Sequence, residues 1–171
     1  MQIVEAPNSL KPYLSSSIIK VYITGSISLD KSKKNWIEIF IDRLAKSLKN
    51  RDIFIFHPIR KDWKSDWGKD RNDSQFWEQI TWELEAQELA DIVVMHFEPD
   101  ALAPITLMEF GLNARPKAIG YSRLIVHCPK EFWKKGNVDI VCAKYGIKHV
   151  ETLNALVDVT IKQIELLKRK I

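Results

Sequence analysis

The stretch IIKVYITG, residues 18–25, is β-branched and aromatic almost throughout and stops on a glycine. Such a run reads as a buried strand entering a tight turn, because β-branched side chains suit a pleated surface and glycine accepts turn geometry. Beyond it, Ile37, Phe40, Ile41, Leu44 and Leu48 recur at helical spacing, so a helix is expected between Lys34 and Leu48. DIFIFHP (52–58) repeats the strand signal and ends at Pro58, and a polar loop with Trp63 and Trp67 follows over 59–72. The alternation then continues. A helix is expected over 75–90, a strand over 91–97, a short helix over 105–115 and a strand over 123–128. A short helix near 138–144, a brief strand at 147–150 and an amphipathic helix from 152 to about 169 complete the pattern.

Strands alternating with helices imply right-handed βαβ crossovers and a parallel sheet covered on both faces. Five strands in this order predict an α/β, flavodoxin-like, doubly wound parallel sheet formed by residues 18–171 as a single domain. Residues 1–17 read as a short disordered or draped arm. The chain has 171 residues, 46% of them hydrophobic, enough for one well-filled core. Cys128 and Cys142 are its only cysteines, and no Cys/His cluster suggests zinc or a disulfide framework. The absence of a long apolar run and of a leader-like N-terminus leads to an expectation of a cytoplasmic protein away from membranes. Net charge is +4, but the basic residues are scattered and interspersed with acids, which argues against nucleic acid as a partner.

Ligands of doubly wound sheets bind outside the carboxyl ends of the strands. Gly25–Lys31, His57–Asn72 and Phe97–Glu109 are therefore the segments to search. Within APITLMEFG (103–111), Glu109 stands among Ile105, Leu107, Met108 and Phe110, where a carboxylate is costly unless it is paired or in use. Helix capping, or pairing with Arg115 or Lys117, is the plainer explanation. Tyr22 lies three residues before Gly25 and either packs in the core or reaches toward a carboxylate. Gly25 permits close backbone approach by a ligand, and Ser26 suits a helix cap or a hydroxyl or phosphate contact. Gln79, Glu83 and Gln87 recur every fourth residue, so they form one polar stripe on their helix. That stripe is either a solvated face or a second acidic wall of a pocket.

Four segments carry a family resemblance: VYITGSI (21–27), QITWELEAQELAD (79–91), PITLMEFGLNA (104–114) and CPKEFWKKGNVDIVCAKYGI (128–147). Together they resemble the nucleoside 2-deoxyribosyltransferase superfamily, in particular a deoxyribosyltransferase-like subgroup. The related nucleoside-monophosphate N-glycosidases share the Y-x-x-G-S turn and the E-x-G element. The likeness runs from about Ile18 to Ile147.

The resemblance implies that Glu109 of Glu109-Phe110-Gly111 is the nucleophile and that Tyr22 hydrogen-bonds to it. It places the base-contacting acid at Glu83, where the family pattern has the shorter Asp. It also implies that Asn137, supplied by a neighbouring subunit, holds the sugar 5′-hydroxyl; a turn residue after Gly136 is the alternative. The family's second polar group, six residues before the nucleophile, is replaced by Ala103 followed by Pro104. Base recognition is then left to Glu98, Asp100 or the loop of Trp63 and Trp67.

Three functions follow as expectations. The first is base exchange on 2′-deoxyribonucleosides through a deoxyribosyl ester of Glu109, with Glu83 as proton donor and no metal or redox cofactor. The second is hydrolysis of a nucleoside, nucleotide or NAD-like molecule, with Ser26 and Arg60 binding phosphate. The third is a non-catalytic nucleotide-binding module. Partners under the first are nucleosides, free nucleobases and further copies of the chain.

Overall fold

The computed structural model describes residues 1–27, 32, 35–48, 52–60, 70–115 and 122–169. Its core is one parallel sheet of six strands in the order β1-β3-β2-β4-β5-β6. These are β1 (Gln2–Glu5), β2 (Ile19–Gly25), β3 (Ile53–His57), β4 (Ile92–His96), β5 (Leu124–His127) and β6 (Lys148–Val150). The helices are α1 (Trp36–Ser47), α2 (Ser74–Leu89), α3 (Pro104–Ala114), α4 (Lys135–Tyr145) and α5 (Leu153–Lys168). This is the expected flavodoxin-like, doubly wound arrangement, with one strand more than the five anticipated. The added strand comes from the 1–17 segment: Gln2–Glu5 pairs with Phe54–His57 at the sheet edge.

Both faces of the sheet are buried, which is why β2 and β4 are buried along their length without alternation. Val21, Ile23, Ile92 and Val94 pack against Trp36, Phe40 and Leu44 of α1 and Leu156 and Ile164 of α5. Tyr22, Val93 and Met95 face the other way, into a cluster with Trp82 and Ala86 of α2, Phe110 of α3 and Val138 of α4. The N-terminal segment closes that second cluster. Val4, Ala6 and Leu10 are buried within it, and Tyr13 sets its ring 4.6 Å from that of Phe54. The Trp82 indole donates to the carbonyl of Asn8 at 2.8 Å.

Helix starts follow local chemistry. The side chains of Asn35, Asp73 and Thr152 cap α1, α2 and α5 by accepting the amides of Ile37, Phe76 and Ala155. By contrast α3 has no side-chain cap: Ala103 precedes it at φ 52°, ψ 46°, and Pro104 takes its first position. α4 begins at Lys135, three residues before the expected 138, so Asn137 lies in its first turn and not in a loop.

From β2 the chain moves to β3 on one side and β4 on the other, so the crevice of the fold opens between the ends of β2 and β4. Gly25 pairs there with His96. A Cβ at Gly25 would sit 2.3 Å from the His96 carbonyl oxygen, and its φ of +149° is one that side chains rarely adopt. Only glycine lets the two strand ends approach this closely.

Candidate active site

At this crevice lies a cavity of about 350 Å³ lined by residues from five elements or their flanks. Tyr22, Thr24 and Gly25 come from β2, Pro58 and Arg60 follow β3, Gln79 and Glu83 belong to α2, and Thr106 and Glu109 to α3. Tyr22, Gly25, Glu83 and Glu109, singled out from the sequence, are thus gathered around one space. A larger groove, about 820 Å³, runs between Leu10, Leu14, Trp77 and Trp82. Its ionisable groups are surface glutamates of α2 and Lys11, with no buried carboxylate among them, whereas the smaller cavity has Glu109 and Glu83 in its wall.

Glu109 is 5% exposed. Its Oε2 accepts from the Thr24 hydroxyl at 2.5 Å, and its Oε1 accepts from Gln87 Nε2 at 2.9 Å. Burial raises its pKa above the ordinary carboxylate value, and the two donors pull it back. The expected hydrogen bond from Tyr22 is not what holds it. The Tyr22 hydroxyl is buried and makes no hydrogen bond to Glu109; its polar neighbours are Thr24 and Gln87. Burial, and then the nearby Glu109 and Glu83, push its pKa well above the usual phenol value, so it is neutral. Strand parity explains the substitution: Thr24, two residues beyond Tyr22, points to the same face and lies nearer the strand end, where α3 begins.

The polar stripe of α2 faces inward. Gln79 and Gln87 are 3% and 4% exposed, and Gln79 Nε2 bridges the Pro58 carbonyl and Glu83 Oε1, each at 2.7 Å. Glu83 has its pKa raised to about 7, first by burial and then by the charge of Glu109, against the opposing hydrogen bond of Gln79. Two carboxylates therefore line one cavity in different electrostatic settings. Glu109, with two donors, suits the ionised form; Glu83 exchanges a proton near neutrality.

Other sequence candidates fall elsewhere. Ser26 does not line the cavity; its hydroxyl accepts the amide of Glu98 at 2.7 Å and ties the two loops of the crevice together. Glu98 turns its carboxylate to His96 at 3.1 Å, and Asp100 is exposed, so neither lines the cavity. Asn137 is exposed on α4, away from the cavity of its own chain. Trp63 and Trp67 lie outside the described residues. Arg60 lines the cavity, and its guanidinium is paired with Glu78 at 2.7 Å.

Beneath the crevice, on the α1 side, His96 Nδ1 and His127 Nδ1 are 2.6 Å apart and Trp36 lies against the His96 ring. Burial, and then His96, lower the His127 pKa to about 4. Thr24, Asn113, Arg123 and this histidine pair escaped the sequence reading. Only Thr24 carried a signal, its parity with Tyr22. Among the described residues no cluster of three or more His, Cys, Asp or Glu side chains has an arrangement able to hold a metal ion, and no helix is long and apolar enough to cross a membrane.

A family model described as "Nucleoside 2-deoxyribosyltransferase like" matches residues 18–132, more than half of the chain. The match spans every side chain lining the cavity. No curated protein matches the sequence.

Proposed function

The chain belongs to the nucleoside 2-deoxyribosyltransferase-like family, and on that premise we propose that it exchanges nucleobases on 2′-deoxyribonucleosides. The observation that carries the reading is Glu109, a buried carboxylate with a neutral donor on each oxygen, at the wall of a cavity it shares with Glu83. A cavity of about 350 Å³ falls within the range of small-ligand sites, about 300–1,000 Å³. Arg60 is engaged by Glu78, which favours an uncharged nucleoside over a phosphorylated one.

In this reading Glu109 attacks C1′ while the C1′–N bond breaks and its electron pair leaves with the base. Glu83, protonated in a large fraction of molecules near pH 7, delivers the proton the departing base needs. An incoming base then attacks C1′, the ester bond to Glu109 breaks, and Glu83 takes back the proton. Two displacements retain the configuration at C1′. The buried Tyr22 hydroxyl serves the sugar or the carboxylate once substrate is bound.

The site is completed by a second copy. Ile105, Met108 and Leu112 form an exposed stripe on α3, continued by Leu102, by Trp133 and by Ile140 beside Asn137 on α4. Monomeric proteins seldom expose a contiguous apolar surface of this kind. A neighbour seated on it brings its Asn137 to the sugar.

The test incubates the protein with 2′-deoxyinosine, with and without adenine or cytosine, and resolves the products by chromatography. Formation of 2′-deoxyadenosine or 2′-deoxycytidine that falls below about one-thousandth in Glu109→Ala is the expected result. Hypoxanthine released without exchange identifies a hydrolase instead. No turnover of deoxynucleosides or their monophosphates leaves a binding module.

A further inference from the structure

A line of polar side chains runs from the start of β5 to the cavity wall. Arg123 donates from Nη2 to Asn113 Oδ1 at 2.9 Å, and Asn113 donates from Nδ2 to Gln87 Oε1 at 2.6 Å. Gln87 in turn donates from Nε2 to Glu109 Oε1 at 2.9 Å. Asn113 and Gln87 are each 4% exposed, and neither they nor Arg123 line the cavity. Arg123 is anchored separately by the carbonyls of Gln87 and Ala90 at the end of α2.

A side-chain amide fits its density of partners either way round, so its orientation is decided by neighbours that have no choice. Two such neighbours act on Asn113. The guanidinium only donates, so Oδ1 must face Arg123. A backbone carbonyl only accepts, and the carbonyl of Glu109 takes Nδ2 of Asn113 at 2.9 Å. Asn113 thereby directs an N–H at Gln87, which must answer with Oε1. Nε2 is then the only end of Gln87 that can meet Glu109. A donor at that place stabilises the ionised carboxylate and fixes its direction.

We propose that Gln87 and Asn113, anchored by Arg123, are positioning residues: the polarity of their relay holds Glu109 as a carboxylate aimed into the cavity. The proposal rests on the reading of Glu109 as the nucleophile, but its test does not need turnover.

Asn113→Asp reverses the relay. The new carboxylate still accepts from Arg123, and it has no proton for Gln87 or for the Glu109 backbone carbonyl. Gln87 must then turn, donate to residue 113, and present Oε1 to Glu109. Two acceptors face each other, and Glu109 relieves the conflict by taking a proton. Asn113→Ala removes the relay without adding a charge and leaves Gln87 free to populate both orientations. Among the described residues, the other ionisable groups lining the cavity with Glu109 are Tyr22 from β2, Glu83 from α2 and Arg60 after β3, all unchanged in these variants.

The experiment is NMR on the ligand-free protein: nuclear Overhauser contacts of the Gln87 side-chain amide protons, and the ¹³C titration of the Glu109 carboxyl. In the parent chain the amide protons contact the neighbourhood of Thr24 and Glu109. In Asn113→Asp they are expected to contact residue 113, with the Glu109 titration rising by about one unit or more. Asn113→Ala is expected to show both sets of contacts and a smaller rise. Amide contacts that stay with Glu109 in Asn113→Asp overturn the proposal, whatever the titration does, because the added charge alone can move the titration. An unmoved Glu109 titration in that variant overturns it equally. Absence of base exchange in the parent chain would instead count against the nucleophile reading and leave the relay measurement standing.

Discussion

In the proposed reaction Glu109 would have to be buried to be shielded from water and charged to attack, and those demands conflict. Thr24 and Gln87 reconcile them with one donor on each oxygen. Glu83 is under no such obligation, and the difference yields a prediction. Its folded pKa, about 7, lies above the ordinary 4.5. The folded state therefore keeps a proton that the unfolded chain gives up. The associated stability is fully present below the ordinary value and is lost as pH rises through about 7. Glu83→Gln cannot ionise, so it should resemble the parent near pH 4 and exceed it at pH 8 by an amount on the order of 2 kcal/mol. Urea unfolding of both proteins at the two pH values measures this, and an equal offset at both would contradict it. In the same variant, base exchange should slow by about 10²-fold or more through loss of the proton donor. Glu109 stood out in the sequence as a carboxylate within an apolar run, whereas Tyr22 and Glu83 were pointed to by the family resemblance; the structure gathers the three around one cavity. Thr24, Asn113 and Arg123 were not legible there, since their roles exist only where α3, the end of α2 and the start of β5 converge.

Elements whose signal is internal were the readable ones. β2, β3, β4 and β5 are short apolar runs buried on both faces, and α1 and α5 carry clear stripes. β1 was not readable: four residues, QIVE, with only Val4 buried, leave no pattern to detect. The start of α4 was hidden for a different reason. Lys134 provides no side-chain cap, and Gly136 within the first turn imitates a loop. The junction of β2 with β4 carries the strongest element-level prediction. Gly25→Ala forces a methyl group to within 2.3 Å of the His96 carbonyl oxygen, a backbone atom that cannot swing aside. The two strand ends must separate, at a cost of about 3 kcal/mol or more. Thermal or chemical denaturation should show that loss, and a variant within about 0.5 kcal/mol of the parent would mean the strands part easily.

For the whole molecule, the doubly wound parallel sheet was legible from the alternation of strands and helices, and a cavity lies at the carboxyl ends of its strands as that class of fold leads one to expect. The exposed apolar face of α3 and α4 carries the prediction at this scale. Light scattering of the parent chain should report a dimer or larger species. Leu112→Arg, at a position 61% exposed and outside the cavity, should give a folded monomer with base exchange lowered by about 10²-fold or more. A fully active monomer, parent or variant, would remove the neighbour from the site. A last consequence concerns synthesis. β1 has a single partner in the sheet, and its register sets Gln2 against Phe54 and Glu5 against His57. On the ribosome β1 therefore emerges with nowhere to pair until β3 has been made. A strand with one distant partner is annealed late. With it come Ala6, Leu10 and the Asn8 carbonyl that receives the Trp82 indole, so the flank of α2 around Trp82 is covered only once β1 has joined β3.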